Sequence, residues 1–153
     1  MSDMSAAVDA WEALFRAQVT VMRQLHAEFP ESQLSLTEYD VLFNLSRQPG
    51  RRLRIRDLGG HMLISQPSVS RMVDRLVGRG LVAKTSDPDD ARGIIVELTD
   101  DGFDLFRRVA KSHMRSITAR VGGALDDEEL RELDRLCTKL RLWSGSPDGD
   151  SSS

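Results

Sequence analysis

From Met4 to Phe29 the apolar residues Val8, Trp11, Phe15, Val19, Met22, Leu25 and Phe29 recur at steps of three and four. That period predicts one face of a single helix, about 39 Å long at 1.5 Å per residue. Pro30 ends it. A continuous apolar face of that length must bury against something, and this constrains the fold more than any other feature. The other end of the chain repeats the problem. Thr99-Asp100-Asp101 caps a helix whose stripe runs Phe103, Phe106, Ala110, Met114, Ile117 and Val121 until Gly122-Gly123 breaks it. Four acids, Asp126 to Glu129, then open a last helix, where the helix dipole favours them. Its apolar positions are Leu130, Leu133, Cys137 and Leu140.

The segment between the long helices is built of shorter pieces. Thr37-Glu38-Tyr39-Asp40 predicts a capped helix, closed by Pro49-Gly50. Arg51 to Ile55 is a short alternating stretch, and Arg56 to Met62 a short helix. Ser65 caps the next helix, which tolerates Pro67 in its first turn and carries the core stripe Val69, Met72, Val73, Leu76 and Val77. Leu81 to Lys84 and Ile94 to Leu98 predict two strands, joined by Ser86-Asp87-Pro88-Asp89-Asp90-Ala91-Arg92-Gly93. A short helix, a tight turn, a capped helix and a hairpin make a winged helix-turn-helix. The fold class is mainly α with a small β-hairpin wing, flanked by long N- and C-terminal dimerisation helices. Residues 1–143 form one domain, with the DNA-binding lobe at about 37–98 and the dimerisation helices at 4–29 and 100–143. The polar tail, 144–153, is expected to be disordered.

The net charge of the 153 residues is −3, an unpromising value for a nucleic-acid binder, but its distribution matters more. Arg51 to Arg92 holds nine Lys/Arg against five Asp/Glu, whereas the remainder holds twelve against nineteen. A basic centre sits between acidic ends. No apolar run approaches the roughly 20 residues of a membrane helix, and the N-terminus lacks the pattern of a signal peptide. A single cysteine, Cys137, excludes an intrachain disulfide and fits a reducing cytoplasm. On an apolar stripe it reads as packing rather than as a redox sensor. No Cys/His spacing suits zinc. His26, His61 and His113 are scattered over three helices with no nucleophile or carboxylate constellation. The expectation is a cytoplasmic protein that is not an enzyme and uses no metal or cofactor.

On the helix after Ser65, the inward turn of Val69, Met72 and Leu76 leaves Gln66, Pro67, Ser68, Ser70, Arg71 and Arg75 on outer faces. The N-terminal end of such a helix enters the major groove. Gln can read adenine, Arg can read guanine or hold phosphate, and Ser can contact either. An amphipathic helix with a solvated polar face explains these residues equally well taken alone; the adjoining short helix and hairpin favour DNA. Arg92, the one cation near the tip of an acidic turn, suits a narrow minor groove. Asp87, Asp89 and Asp90 beside phosphates must fold back onto local amides or arginines. Asp90, two residues from Arg92, is placed to brace the turn and orient that guanidinium.

Leu36-Thr37-Glu38-Tyr39, the helix-turn-helix from Ile55 to Leu81, Asp87-Pro88-Asp89-Asp90-Ala91-Arg92-Gly93 and Val96-Glu97-Leu98-Thr99 together resemble the MarR family of bacterial regulators. The motifs cover roughly Thr37 to Phe106, and the order of helices matches throughout. The resemblance implies a homodimeric winged-helix protein that binds double-stranded DNA at a palindromic operator, as a repressor. It implies Asp90 as the wing-stabilising acid and Arg92 as the minor-groove arginine. Two residues depart from the pattern: Ala91 replaces a second basic residue common in the wing, and Leu63 stands where the turn often has Gly. Gly59 suits the position where the two helices pack closely.

A second copy is the economical partner for the terminal stripes, with Trp11, Phe15, Leu133 and Leu140 in the interface; taken singly, Leu133, Cys137 and Leu140 suit an intrachain core equally well. Twofold symmetry matches a palindromic site. The resemblance further implies release from DNA by a small aromatic anionic ligand, of unknown binding residues, held between the long helices and the DNA-binding lobe. Arg16, Arg23, His26 and His113 on the long helices, beside Trp11 and Phe15, are candidates to supply positive charge there, with a surface or interhelix place as the alternative for each. The alternative reading is a winged-helix protein-interaction module without DNA binding, which calls for an exposed apolar patch where this chain is basic.

Overall fold

The computed structural model describes residues 4–60 and 66–143. Helix α1, Met4–Glu28, is followed by α2, Leu36–Ser46, a 3-10 turn at Pro49–Arg51 and a short strand β1, Arg52–Arg54. Helices α3, Ile55–Gly60, and α4, Gln66–Gly78, precede strands β2, Val82–Asp87, and β3, Asp90–Leu98. Helix α5, Asp100–Ile117, runs into a π-helical turn at Thr118–Gly122 before α6, Asp127–Leu142. Among the described residues no helix is long and apolar enough to cross a membrane.

The core gathers the C-terminal end of α1, α2, α3, α4, the sheet and the N-terminal part of α5. Phe29, Leu34, Tyr39, Leu42, Leu45, Leu58, Val69, Val73, Leu76, Val96 and Val109 all belong to it. Helix α4 follows its predicted stripe except at Val77, which is exposed, because its inward face is already filled by Val69, Met72, Val73 and Leu76. The phase of α5 also differs from the sequence reading. Its buried residues are Gly102, Leu105, Val109, Ala110 and His113, while Met114 is largely exposed. A helix period of 3.6 lets two neighbouring stripes be read from one sequence, and the small Gly102 selects between them. A Cβ at Gly102 would lie 2.0 Å from the Leu81 carbonyl oxygen, so α5 starts pressed against the chain entering β2. Thr99 caps it, accepting from the Gly102 amide at 3.0 Å and donating to the Gly80 carbonyl at 2.7 Å.

Helix α2 is capped by Ser35 rather than Thr37: Ser35 Oγ accepts from the Glu38 amide and the Glu38 carboxylate accepts from the Ser35 amide. This reciprocal pair satisfies two orphan donors, an option that Thr37 lacks. Asp126 and Glu129 form the same box at the start of α6. The sheet has three strands in the order β1-β3-β2, so the Arg51–Ile55 stretch supplies an edge to the hairpin. The wing strands also run further than predicted and absorb most of the octapeptide, leaving a turn at Pro88 and Asp89. The predicted tail, 144–153, the Ser65 cap, Leu63 and His61 lie outside the described residues.

Two surfaces remain uncovered by the core. Val8, Trp11, Phe15 and Met22 on α1 are exposed, with the rings of Trp11 and Phe15 6.0 Å apart. Helix α6 buries no residue at all; Leu133, Leu136, Leu140, Leu142 and Trp143 are exposed, and Cys137 is half-buried.

At the junction of α1, α2 and α5, His113 is buried edge-on to Phe29 and Tyr39, at 5.2 and 5.0 Å between ring centres. Its Nδ1 has no hydrogen-bond partner among the described residues. Burial pushes its pKa below the ordinary imidazole value, since desolvation disfavours the charged ring. A base with a depressed folded-state pKa binds protons more readily when unfolded. Its contribution to stability is therefore present above about pH 6.5 and is lost as the pH falls below that value. The melting temperature of the native protein is expected to drop more between about pH 7 and pH 5 than that of His113→Phe. Parallel pH profiles for the two proteins would contradict this account of His113.

Candidate nucleic-acid interface

Helix α4 buries Val69, Met72, Val73 and Leu76 and thereby turns Gln66, Pro67, Ser70, Arg71, Asp74 and Arg75 outward, with Ser68 half-buried. Arg71 donates to Ser68 Oγ at 3.3 Å. Asp74, the acid on this face, is neutralised by Lys84 of β2 at 2.5 Å, which ties the helix to the wing. At the other end of α4's exit, Arg79 donates to the Gln33 carbonyl at 2.6 Å and pairs with Glu38 at 3.4 Å. Gln66 is not free: its Nε2 donates to the Arg56 carbonyl at 3.2 Å. A Cβ at Gly59 would lie 2.0 Å from that Nε2. Gly59 therefore marks the close approach of α3 and α4 expected of it, with the Gln66 amide as the group that fills the gap.

The basic stretch divides on inspection. Gly50 and Arg51 both have left-handed backbone, at φ 66° and 56°. For Arg51 that geometry is strained. The Arg51 guanidinium stacks 3.5 Å over the Phe103 ring, a cation–π contact that holds the strained turn against α5. Arg54 pairs with Asp87. Among the described residues Arg52, Arg56, Arg71, Arg75 and Arg92 pair with no acid, which leaves these cations of the stretch to meet an external anion.

Arg92 owes its position to a break in the wing ladder. Ser86 pairs with Ile94 and Asp87 with Asp90. Ala91, Arg92 and Gly93 are therefore extra residues on β3, and a bulge of this kind re-aims side chains. Asp90 Oδ1 accepts from the Arg92 backbone amide at 3.0 Å, so Asp90 touches the backbone of Arg92 and not its guanidinium. Asp87 Oδ1 accepts from the Asp89 amide at 2.9 Å.

Residues that sequence reasoning did not single out are Arg54, whose ion pair with Asp87 joins β1 to β2 across 33 residues, and Asp74 and Lys84, whose pair joins the consecutive elements α4 and β2. Only the Asp87-Pro88 dipeptide, a turn-starting signal, hinted at one of them. The charged residues considered for a ligand pocket are dispersed. Arg23 and His26 line an open groove of about 550 Å³ on α1 with Gln18, Val19 and Met22. Arg16 pairs with Glu12 along the helix, and His113 is in the core. His26 lies 3.2 Å from Glu31. Arg120 of the π-helical turn grips Glu28 of α1 and holds its carboxyl below the usual range through that hydrogen bond. No group of three His, Cys, Asp or Glu residues among those described could hold a metal ion.

The sequence model of the MarR family matches residues 32–93, from the approach to α2 to the end of the wing bulge. The transcriptional regulator PecS of Dickeya dadantii is 27% identical over 104 residues, which are 67% of this chain and 63% of PecS, so the matched segment spans under two thirds of that relative. The crystal structure of AbsC, a MarR family transcriptional regulator from Streptomyces coelicolor, superposes with a TM-score of 0.75 at 26% identity, covering 94% of this chain and 99% of AbsC. Bordetella bronchiseptica BpsR, whose DNA binding is regulated by 6-hydroxynicotinic acid, superposes with a TM-score of 0.74 at 26% identity, covering 87% and 98% of the two chains. The match of the family pattern falls on the segment that forms α2, α3, α4 and the wing, and the likeness to these MarR family structures in three dimensions extends through the terminal helices.

Proposed function

We propose that this protein is a transcription regulator that binds a palindromic DNA operator as a homodimer and acts as a repressor. One observation carries the reading. Within the basic stretch from Arg51 to Arg92, the cations with neither an acid partner nor a ring contact among the described residues, Arg71, Arg75 and Arg92 with Arg52 and Arg56, lie on the outward face of α4, in the wing bulge and at the edge of the helix-turn-helix. Ser65, Gln66, Pro67, Ser68, Ser70, Arg71 and Arg75 form the major-groove surface, and Arg92 enters the minor groove. Gln66 reaches a base by exchanging its bond to the Arg56 carbonyl, so its contact carries a cost that Arg71 does not. Dimerisation is supported by the faces of α1 and α6, where Trp11, Phe15, Leu133 and Leu140 are exposed among the described residues. In this reading the protein is cytoplasmic and performs no catalysis.

The effector class is a small aromatic acid, supported by the BpsR relative and by the groove on α1 that Arg23 lines. A ligand that prefers one separation of the two recognition helices shifts the population away from the separation that fits successive major grooves, about 34 Å apart. The shift is bounded by its differential affinity for the two states.

Selection from a randomised duplex pool tests the reading. The native protein is expected to recover a palindromic site, and Arg71→Ala to lose preference at one position of each half-site, with a smaller effect for Gln66→Ala. Recovery of no common site, by a protein that instead captures other proteins, would favour the interaction-module alternative. An unchanged site with Arg71→Ala would remove that residue from base reading.

A further inference from the structure

The wing contains a buried charge that DNA contact does not explain. Asp87 at the end of β2 is the most buried carboxylate in the core region, with its side chain 2% exposed. A buried charge is retained only with a partner, and the partner is Arg54, whose Nε lies 2.6 Å from Asp87 Oδ2. This is an ion pair without hydrogen-bond alignment. Arg54 is on β1, and β1 and β2 are not neighbours: β3 lies between them. The pair therefore reaches across the central strand, and it does so beside the bulge. Gly93 makes room for it, since a Cβ there would lie 3.0 Å from Asp87 Cβ and 3.3 Å from Oδ2. The other Asp87 oxygen holds the Asp89 amide of the turn. One carboxylate thus fastens the turn to the far edge of the sheet, directly over the three extra residues that include Arg92.

The geometry points to Arg54 as a positioning residue for DNA binding: by holding Asp87 across β3 it fixes the bulge that presents Arg92. Arg54 is then no member of the phosphate-binding basic stretch, although it sits among Arg51, Arg52 and Arg56. It acts only through the wing. This inference rests on the DNA-binding reading above for its functional half, and on the fold alone for the clamp itself.

The test is a double-variant comparison on the duplex recovered in the selection. Arg54→Ala and Arg92→Ala are each expected to weaken binding at least tenfold. The double variant is expected to bind no more weakly than Arg92→Ala, with the same salt dependence, because a positioning residue has nothing left to position. If Arg54 touched phosphate itself, the losses would multiply and the slope of log affinity against log salt would fall by about one more for the second arginine. That result would overturn the proposal. Asp87→Asn, which keeps the shape and removes the charge, carries the same comparison if Arg54→Ala does not fold. A DNA-free measurement separates the two halves. In Arg54→Ala the NMR amide signals of Asp89 and Arg92 are expected to shift together. Shifts confined to β1 would refute the clamp whether or not any duplex binds, whereas failure of the native protein to bind DNA would refute the regulator reading and leave the clamp to the amide signals.

Discussion

Arg92→Ala is expected to weaken operator binding at least tenfold, equivalent to about 1.4 kcal/mol, without changing the mass of the assembly. Three extra residues on β3 hold Arg92 out of the strand ladder, and Asp90 engages its backbone rather than its guanidinium. Among the described residues the side chain thus starts with no ion pair to break, and its charge is available to the narrow minor groove, where negative potential is concentrated. The slope of log affinity against log salt should fall by about one. A titration at fixed salt showing unchanged affinity would remove the wing tip from the interface. Ala91 beside it offers no second cation, so no neighbour compensates for the loss.

The second large effect concerns assembly. Trp11→Asp combined with Phe15→Asp is expected to convert the proposed dimer into a folded monomer in sedimentation. Both rings are about half exposed, at 56% and 49%, so the change leaves the chain's own core untouched. Placing two carboxylates in a closed interface costs several kcal/mol per buried charge, far more than a dimer of ordinary affinity can absorb. Deleting residues 4–29 would be a poorer experiment, because Leu25 at the C-terminal end of α1 and Phe29 just beyond it are core residues and their loss would unfold the lobe as well. A double variant that still sediments as a dimer, with native helical content, would place the interface elsewhere.

The parts of this fold that were legible in the sequence are those set by local periodicity and local chemistry. The stripe Val69, Met72, Val73 and Leu76 oriented α4, and through it the outward residues, because a 13-residue helix with one buried face leaves little freedom. The acids of the wing are expected to fold back onto amides and arginines, and the carboxylates of Asp87, on the Asp89 amide and Arg54, and of Asp90, on the Arg92 amide, have that form, whereas Asp89 contributes its backbone amide. What the sequence hid depends on elements meeting in space. The α5 stripe was read one position out of phase because nothing local reveals that Gly102 must face the Leu81 carbonyl. Ser35 was passed over as a cap because Thr37 offered the same hydroxyl nearer the apolar run, and only the reciprocal bond with Glu38 decides between them. Arg54 looked like one more member of a basic stretch, since its partner lies two strands away. Gln66 looked like a free base reader, since its bond to Arg56 requires the close approach over Gly59.

The central claim is that the unpaired cations of α4 and the wing meet operator DNA as a symmetric pair. Its most direct measurement is an equilibrium titration of the native protein, with stoichiometry resolved, on the selected duplex and on an unrelated duplex at two salt concentrations. The account predicts two chains per selected duplex, affinity for it at least about a thousandfold tighter than for the unrelated one, and a steep loss of both with salt. Equal, weak binding to the two duplexes, or one chain per site, would contradict it.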